Sequence, residues 1–241
     1  LPAAAQDPRS ILRLDAPIAR WDEAIPLGNG LLGGLLWGEG RTLKLSLDRG
    51  DLWDERTPEI FADPEWTWAG MQKLVQAKNM SRFHQLFDEP YDRIPYPTKL
   101  PGGRLVIERQ GGGAVREFAL DMRHGEAVAR YATDSVQAVV LAHRPVMLLR
   151  IPGAVTVRFE PSAGVTKLGY PAATVTSDSY LQEGALGLKY GAVVRQQLRG
   201  DTTLLAVTLA TSSEGADPLV IGRARADLAV FDVASGGDPY L

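Results

Sequence analysis

The most informative absence in this sequence is cysteine, of which there is none among 241 residues. A chain without cysteine has no disulfide framework, no thiolate metal site and no thiol nucleophile. The absence leaves the cellular compartment open, because a cysteine-free chain survives equally well in reducing and in oxidising surroundings.

An excess of charge of one sign is also lacking. The 26 Lys and Arg residues stand against 29 Asp and Glu residues, which gives a formal net charge of −3. The chain therefore has no overall basic field to attract nucleic acid or an anionic membrane surface, and neither partner is expected. No apolar run approaches the ~20 residues that a membrane-spanning helix requires.

Histidine is scarce as well. The three histidines, His84, His124 and His143, lie far apart in the sequence, and nothing groups them. A metal site needs several ligands that converge on one point, so neither a metal nor any other cofactor is expected. We interpret His84, within a helical segment, as a hydrogen-bonded structural residue, and His143 as the end of a strand.

Short apolar–polar alternation, by contrast, is abundant. Residues 42–47 read Thr-Leu-Lys-Leu-Ser-Leu, which places three leucines on one face of a strand. Turn-forming residues separate further predicted strands. These lie at residues 103–108, 115–120, 127–132, 136–143, 146–151, 155–159, 186–198 and 203–209. The pattern predicts a mainly β fold built as an antiparallel β-sandwich.

One segment has a helical period instead. Within residues 65–88, apolar side chains from Met71 to Phe87 recur about every three or four positions. Asp63-Pro64-Glu65 supplies a helix start, and Asp88-Glu89-Pro90 ends the pattern. We therefore expect a short helical insertion of one or two helices near residues 65–88.

The two ends of the chain differ from its middle. Residues 1–10 read LPAAAQDPRS, which is typical of the remnant of a secretory leader, or else of an ordinary frayed terminus. The leader interpretation favours a periplasmic or secreted protein. Residues 11–233 are predicted to form one domain, closed by a helix or strand at residues 224–233. Residues 234–241 read as the start of a linker, which indicates a piece of a longer protein.

A glycine-rich block, WDEAIPLGNGLLGGLLWG, occupies residues 21–38. Its spacing Gly28-x-Gly30-x-x-Gly33 matches a dinucleotide-binding fingerprint by letter, but that fingerprint requires a strand before it and a helix after it. Here Pro26 precedes the turn, and residues 31–37 with 42–47 read as a β-hairpin. Nucleotide binding is therefore not predicted, and the glycines are interpreted as a tight β turn.

The same block resembles the opening of glycoside hydrolase family 95, a tryptophan followed by a G-N-G turn, a second small-residue turn and a strand. Residues 45–53, LSLDRGDLW, are similar to the L-N-E-D-T-L-W segment of that family, although Ser46 and either Leu47 or Asp48 replace its Asn and Glu. Residues 116–131 are similar to its later R-x-L-D-L ladder and the strand that follows. The resemblance spans nearly the whole chain.

This resemblance implies an enzyme with an amino-terminal β-supersandwich, a helical linker, an (α/α)6 barrel and a carboxy-terminal β domain. Members are exo-acting and hydrolyse α-L-fucosides or α-L-galactosides with inversion, which requires a general acid and a general base. The catalytic groups of the family lie in the barrel, which these residues do not include. We therefore expect a non-catalytic domain that packs on the barrel and shapes a carbohydrate site.

Three residues are candidate substrate contacts: Asn29, Trp53 and Tyr96. Aromatic rings stack on sugar faces, and Tyr96 lies in a predicted loop at residues 91–101 that three prolines would stiffen. A competing interpretation uses the tryptophans for packing, as sandwich core or as helix anchors: Trp37, Trp53, Trp66 and Trp68.

Two alternatives remain open. A small enzyme complete in this chain would need two facing carboxylates, such as Asp48 with Asp51 or Asp88 with Asp92. A free-standing carbohydrate-binding module would show a concave groove lined with Trp or Tyr. A domain that supports a barrel would instead show a flat apolar face near the carboxy terminus.

Overall fold

The computed structural model describes residues 10–215 and 220–229. Its strands in chain order are β1 Ile11–Asp15, β2 Ile25–Gly28, β3 Leu32–Glu39, β4 Thr42–Arg49, β5 Trp53–Asp54, β6 Thr98–Lys99, β7 Arg104–Arg109, β8 Glu117–Asp121, β9 Glu126–Arg130, β10 Ser135–Val140, β11 Val146–Pro152, β12 Val155–Glu160, β13 Thr174–Val175, β14 Ser179–Glu183, β15 Lys189–Arg199 and β16 Thr202–Thr211. Its α-helices are α1 Trp68–Gln76, α2 Met80–Phe87, α3 Glu89–Arg93, α4 Ala163–Lys167 and α5 Val220–Asp227.

The strands confirm the predicted antiparallel β-sandwich. One sheet has nine strands in the order β1-β8-β9-β10-β11-β16-β15-β14-β13, and the other has five in the order β12-β7-β4-β3-β2. The inner faces share one core, in which Leu45 and Ile107 of the smaller sheet belong with Met147 and Val207 of the larger. Strands β5 and β6 form a separate ribbon.

Strand β4 shows how alternation sets the two faces of the smaller sheet. Leu43, Leu45 and Leu47 are buried in the core, while Lys44 and Ser46 point to the outer face and are partly exposed. Each buried leucine stabilises the fold by about 1.5–3 kcal/mol. The hairpin predicted from residues 31–37 and 42–47 is confirmed as β3 and β4.

The nine-stranded sheet is covered on both faces. Alternate residues of β16 enter the central core, and the intervening ones form a second apolar cluster with α5. That second cluster contains Val146, Leu148, Val193, Leu204, Ala206, Ala210, Val220, Ala224 and Leu228. Thus α5 covers the apolar face near the carboxy terminus, and the helix predicted as one option for residues 224–233 is confirmed for the residues that the structure describes.

The sequence pattern missed several strands and misplaced one boundary. Strand β2, Ile25-Pro26-Leu27-Gly28, contains proline and glycine, which are tolerated there because β2 is an edge strand. The strand expected from residue 186 begins only at Lys189, since residues 185–187 form a 3₁₀ turn. The predicted leader remnant and linker lie outside the described residues, apart from Ser10, and stay predictions.

The helical insertion is confirmed, with two helices, α1 and α2, within residues 65–88 and a third, α3, directly after them. The predicted start at Asp63-Pro64-Glu65 is wrong, because α1 is capped by Thr67, whose Oγ1 accepts a hydrogen bond from the backbone N–H of Gly70 at 3.0 Å. The predicted end is confirmed for α2, which ends at Phe87 with Asp88 as its C-cap, although Glu89 and Pro90 then begin α3, where proline is accepted in the first turn. No helix in the described residues is long and apolar enough to cross a membrane.

Two of the four tryptophans behave as the packing interpretation expects. Trp37 is buried, although it lies on the outer face of β3, and the Trp66 ring lies 4.1 Å from the Phe61 ring. Trp68, however, is 71% exposed and anchors nothing. Trp53 is 44% exposed, so its assignment to the sandwich core is wrong.

A buried ionic cluster holds the end of β4 to the end of β16. The Arg49 side chain is 1% exposed, and its Nε donates to Asp51 at 2.8 Å and its Nη2 to Glu214 at 2.5 Å. Its Nη1 donates to the carbonyl of Leu209 at 2.7 Å. Burial alone would raise the pKa of Asp51, but the hydrogen bond and charge of Arg49 outweigh it and hold that pKa below its usual value.

We predict that Arg49→Met lowers the free energy of unfolding by about 2 kcal/mol at neutral pH, because Asp51 loses its cation, the buried carbonyl of Leu209 loses a donor, and Glu214 keeps only Arg223 at 3.8 Å. Since the pKa of Asp51 is depressed, its contribution is present above the unfolded-state value of 3.8 and is lost as pH falls through the folded-state value. Urea unfolding at neutral and at acid pH measures both effects.

The matched control is Arg13→Met, which breaks an exposed ion pair with Glu117 and should cost less than about 1 kcal/mol. Equal losses of stability in the two variants would contradict the structural role of Arg49.

Candidate functional site

The long connection between β4 and β7 returns to the end of the sandwich as the ribbon of β5 and β6. Trp53 pairs with Lys99 and Asp54 with Thr98, so this pairing brings together the two ends of the connection. A cleft of about 410 Å³ opens beside the ribbon. It is lined by Trp53, Glu55, Arg56, Thr57, Phe61 and Pro97.

The buried carboxylate of Asp54 organises this cleft. It accepts hydrogen bonds from Arg56 Nε at 3.0 Å and Arg56 Nη2 at 2.6 Å, and from the Tyr170 hydroxyl at 2.5 Å. Burial alone would raise the pKa of Asp54, but the hydrogen bonds from Arg56 and Tyr170 outweigh burial. The pKa of Asp54 therefore lies below its usual value, and the carboxyl is held ionised. Burial and the neighbouring Asp54 carboxylate raise the pKa of Tyr170 to about 12.

Arg56 lies between two tyrosine rings. Its guanidinium carbon lies 4.0 Å from the centroid of the Tyr96 ring and 5.2 Å from that of Tyr170. Stacking and the bidentate bond to Asp54 together restrict the guanidinium to one orientation. Its Nη1 has no hydrogen bond to any of the described residues, so it remains available to a ligand in the cleft.

Trp53 supplies the exposed aromatic surface of the cleft. Its indole Nε1 donates to the carbonyl of Gly50 at 3.0 Å, which fixes the ring, and Lys99 Nζ lies 5.8 Å from the ring centroid. A fixed, partly exposed indole beside a guanidinium suits a ligand with one apolar face and several hydroxyl groups, as a sugar has.

The sequence of this chain matches the model of a known protein family. The family model described as "Glycosyl hydrolase family 65, N-terminal domain" matches residues 12–188. The chain belongs to this family. The match supports a glycoside hydrolase amino-terminal domain, and it names family 65 where the sequence motifs indicate family 95. No curated protein matches the chain.

The matched part of this family 65 amino-terminal domain includes every residue that forms the cleft. Of the three predicted sugar contacts, Trp53 lines the cleft, whereas Tyr96 is not one of its lining residues and stacks on Arg56. The loop predicted at residues 91–101 is shorter, because its first residues belong to α3 and Thr98–Lys99 form β6. Contact of Trp53 and Tyr96 with sugar stays a prediction.

Asn29, the third candidate, has a different environment. Its Nδ2 donates to the carbonyls of Leu141 and Arg144, both at 2.8 Å, and its Oδ1 accepts from the backbone N–H groups of Leu31 and Leu32. The side chain thereby ties the turn between β2 and β3 to the turn between β10 and β11. A sugar contact by Asn29 also stays a prediction, and it would have to compete with these four bonds.

Arg56, Asp54 and Tyr170 were missed by sequence reasoning. The acid and the base stand two positions apart in the sequence, but Arg56 lies after β5 in irregular backbone, so strand alternation does not predict their contact. Tyr170 comes from the connection after β12, and no local pattern indicates that it reaches Asp54. Only the packing of the sandwich brings it there.

The remaining titratable candidates are held by neighbours. His84 bonds Asp88, His124 Nδ1 lies 2.8 Å from Asp121, and His143 lies in the turn after β10 instead of ending a strand. Within residues 10–215 and 220–229, no group of three His, Asp or Glu residues is arranged to hold a metal ion. Asp48 and Asp51 each bond a cation, Lys99 and Arg49 respectively.

We predict that Asn29→Asp lowers the free energy of unfolding of this domain by about 1–3 kcal/mol, because it keeps the turn acceptor but removes the two donors. Thermal and urea unfolding measure the loss. The matched control is Asn79→Asp, since Asn79 caps α2 through its Oδ1 acceptor, which accepts from Arg82 N–H at 3.3 Å. Equal stability of the two variants would contradict the tethering role of Asn29.

We predict that Tyr170 ionises with a pKa of about 12 in the folded domain. Because this value lies above the usual 10.0, the stability that its hydrogen bond contributes is full below pH 10 and is lost as pH rises through the folded value. Ultraviolet titration of tyrosinate, with Tyr170→Phe to assign the signal, measures it. Asp54→Asn should lower the pKa of Tyr170, and a pKa of Tyr170 near 10 in the unmodified domain would show that the bond to Asp54 is absent.

Proposed function

We propose that this chain is the non-catalytic amino-terminal domain of an exo-acting, inverting glycoside hydrolase that acts on α-L-fucosides or α-L-galactosides. In this proposal it packs on an (α/α)6 catalytic barrel and forms part of the wall of the sugar site. The family match supports a glycoside hydrolase amino-terminal domain, and the motifs in residues 21–53 support the choice of sugar. The leader-like residues 1–10 support export to the periplasm or medium.

The observation that carries the proposal is the cleft lined by Trp53 and Arg56, with the Tyr96 ring stacked on the Arg56 guanidinium. Its aromatic face and its free guanidinium donor are held in place before any ligand arrives, since Asp54 and the two tyrosine rings fix Arg56. A preorganised wall loses little conformational entropy when it contacts a sugar. This geometry suits positioning of a substrate.

The ionisation state of Asp54 argues against acid–base catalysis of glycoside hydrolysis in the cleft. An inverting glycosidase requires a protonated carboxylic acid and a carboxylate base about 6.5–9.5 Å apart. Asp54 is held ionised by Arg56 and is buried, so it is unsuited to donate a proton. Among the residues that line the cleft, Glu55 is the one carboxylate, so the lining provides no acid–base pair.

The kinetic test uses the glycoside hydrolase that carries this domain. We expect Trp53→Ala and Tyr96→Ala to raise KM for p-nitrophenyl α-L-fucopyranoside about tenfold, equivalent to about 1.4 kcal/mol of binding, with a smaller change in kcat. Tyr91→Ala is the matched control, because Tyr91 is 73% exposed on α3 and, unlike Trp53 and Tyr96, neither lines the cleft nor stacks on Arg56.

Three outcomes would contradict the proposal. Unchanged kinetics in the Trp53 and Tyr96 variants would remove the cleft from the sugar site. Hydrolysis by the 241-residue chain alone would show that catalysis does not require a barrel. Release of the α-anomer of the sugar as first product, followed by proton NMR, would show retention instead of inversion.

A further inference from the structure

A second and larger cavity lies on the outer face of the five-stranded sheet. This groove has a volume of about 750 Å³, within the range of small-molecule sites. Strand pairing places one row of side chains across all five strands, and each neighbour in the row is a register partner of the next. The row consists of Pro26, Leu35, Ser46, Arg104 and Glu160.

The floor of the groove is open because β3 has glycine at position 33. Gly33 does not adopt the left-handed conformation, and a Cβ added there would lie no closer than 3.8 Å to any other atom. Its neighbours in β3 differ, since a Cβ at Gly34 would lie 2.4 Å from Met147 and one at Gly38 would lie 2.2 Å from Thr42. Gly33 is therefore required neither by backbone conformation nor by packing. The space beside Gly33 therefore lets a ligand approach the backbone closely, which is one of the uses of glycine within a strand.

The walls of the groove combine an aromatic ring with balanced charges. Trp21, in a 3₁₀ turn, is 58% exposed. Asp48 pairs with Lys99 at 2.7 Å, and Arg104 lies 3.5 Å from Glu160. Two carboxylates and two cations cancel, so the groove favours an uncharged ligand. Donors and acceptors in adjacent pairs suit the neighbouring hydroxyl groups of a sugar.

The Trp37 ring supports these polar groups from the same outer face. The Arg104 guanidinium carbon lies 4.8 Å from the ring centroid, and the indole Nε1 donates to Ser46 Oγ at 3.0 Å. Ser46 accepts this bond and keeps its own hydroxyl hydrogen for a ligand. The polar surface of the groove is thus arranged before any ligand binds.

We infer that this groove is a second carbohydrate-binding site, in which a pyranose ring stacks on Trp21 over the Gly33 floor and its hydroxyl groups bond Ser46, Asp48 and Arg104. Lys99 holds Asp48 in place, since its three N–H groups already bond Asp48 and the carbonyls of Arg49 and Leu52. The groove is complete within this chain, so the inference stands without the proposed function. Lys99 also lies beside Trp53 at the cleft, so the groove continues to the cleft edge and can accommodate the rest of a glycan chain.

The test measures binding of the trisaccharide 2′-fucosyllactose to the 241-residue chain by calorimetry and tryptophan fluorescence. We expect Gly33→Val and Trp21→Ala each to weaken binding at least tenfold. Gly33→Val fills the floor with a residue that strands favour, so its unfolding midpoint should equal or exceed that of the original chain. Trp68→Ala is the matched control, since Trp68 is an exposed tryptophan on α1 outside the groove, and binding should be unchanged.

Other results would overturn the inference. Absence of binding at millimolar trisaccharide, or binding that Gly33→Val leaves intact, would exclude the groove as the sugar-binding site. Loss of binding through Trp53→Ala, with Trp21→Ala and Gly33→Val unaffected, would place the sugar in the cleft, which supports the proposed function and overturns this inference.

Thiol labelling tests whether another domain of the same enzyme, instead of a sugar, occupies the groove. Ala163 lines the groove, and this chain has no cysteine, so Ala163→Cys introduces one thiol into it. We expect maleimide to label that thiol in the whole enzyme and the trisaccharide to slow the reaction. Protection of the thiol in the whole enzyme without sugar would identify a domain interface and overturn the inference.

Discussion

The period-two alternation of β4 is the constraint on which the rest of this domain depends. On its inner face Leu43, Leu45 and Leu47 close the core between the two sheets, and on its outer face Ser46 and Asp48 form part of a groove. Because each residue can serve only one face, the core and the ligand surface are set by the same register. A shift by one residue would bury the polar groups and expose the leucines.

The end of β4 also determines where the cleft forms. Arg49 is held by Asp51, Glu214 and the carbonyl of Leu209, so the chain leaves the sheet from a fixed point before it forms the β5–β6 ribbon. The ribbon then carries Trp53 and the buried Asp54, and Asp54 fixes Arg56. Stability and ligand geometry are linked here through two buried charges, the Arg49 guanidinium and the Asp54 carboxylate, each of which has an ionic partner, since an unpaired charge at these positions would be costly.

The cleft and the groove are two separate cavities on the surface of the domain. Both combine an indole ring with a positioned guanidinium, and Lys99 borders each of them. Neither combines a protonatable acid with a free base in the way that glycoside hydrolysis needs. The family match identifies the chain as the amino-terminal domain of a glycoside hydrolase, and sugar recognition by either surface stays a proposal.

The local sequence pattern was sufficient to predict the elements that have one apolar and one polar face, such as the β3–β4 hairpin and the amphipathic helices near residues 65–88. It failed at β2, where an edge position allows Pro26, and at Trp53, whose large apolar ring suggested the core. Asn29 could be recognised as part of a turn, but not as a tether to Leu141 and Arg144.

By itself, the sequence determined the fold class, the hairpin and the aromatic candidates Trp53 and Tyr96, because alternation and turn chemistry act over a few neighbouring residues. Only the tertiary structure decided that Tyr170 meets Asp54, that Arg56 lies against Tyr96 and that Gly33 opens the floor of a groove. These contacts join residues that are distant in the chain, and their geometry depends on how the sheets and their connections pack.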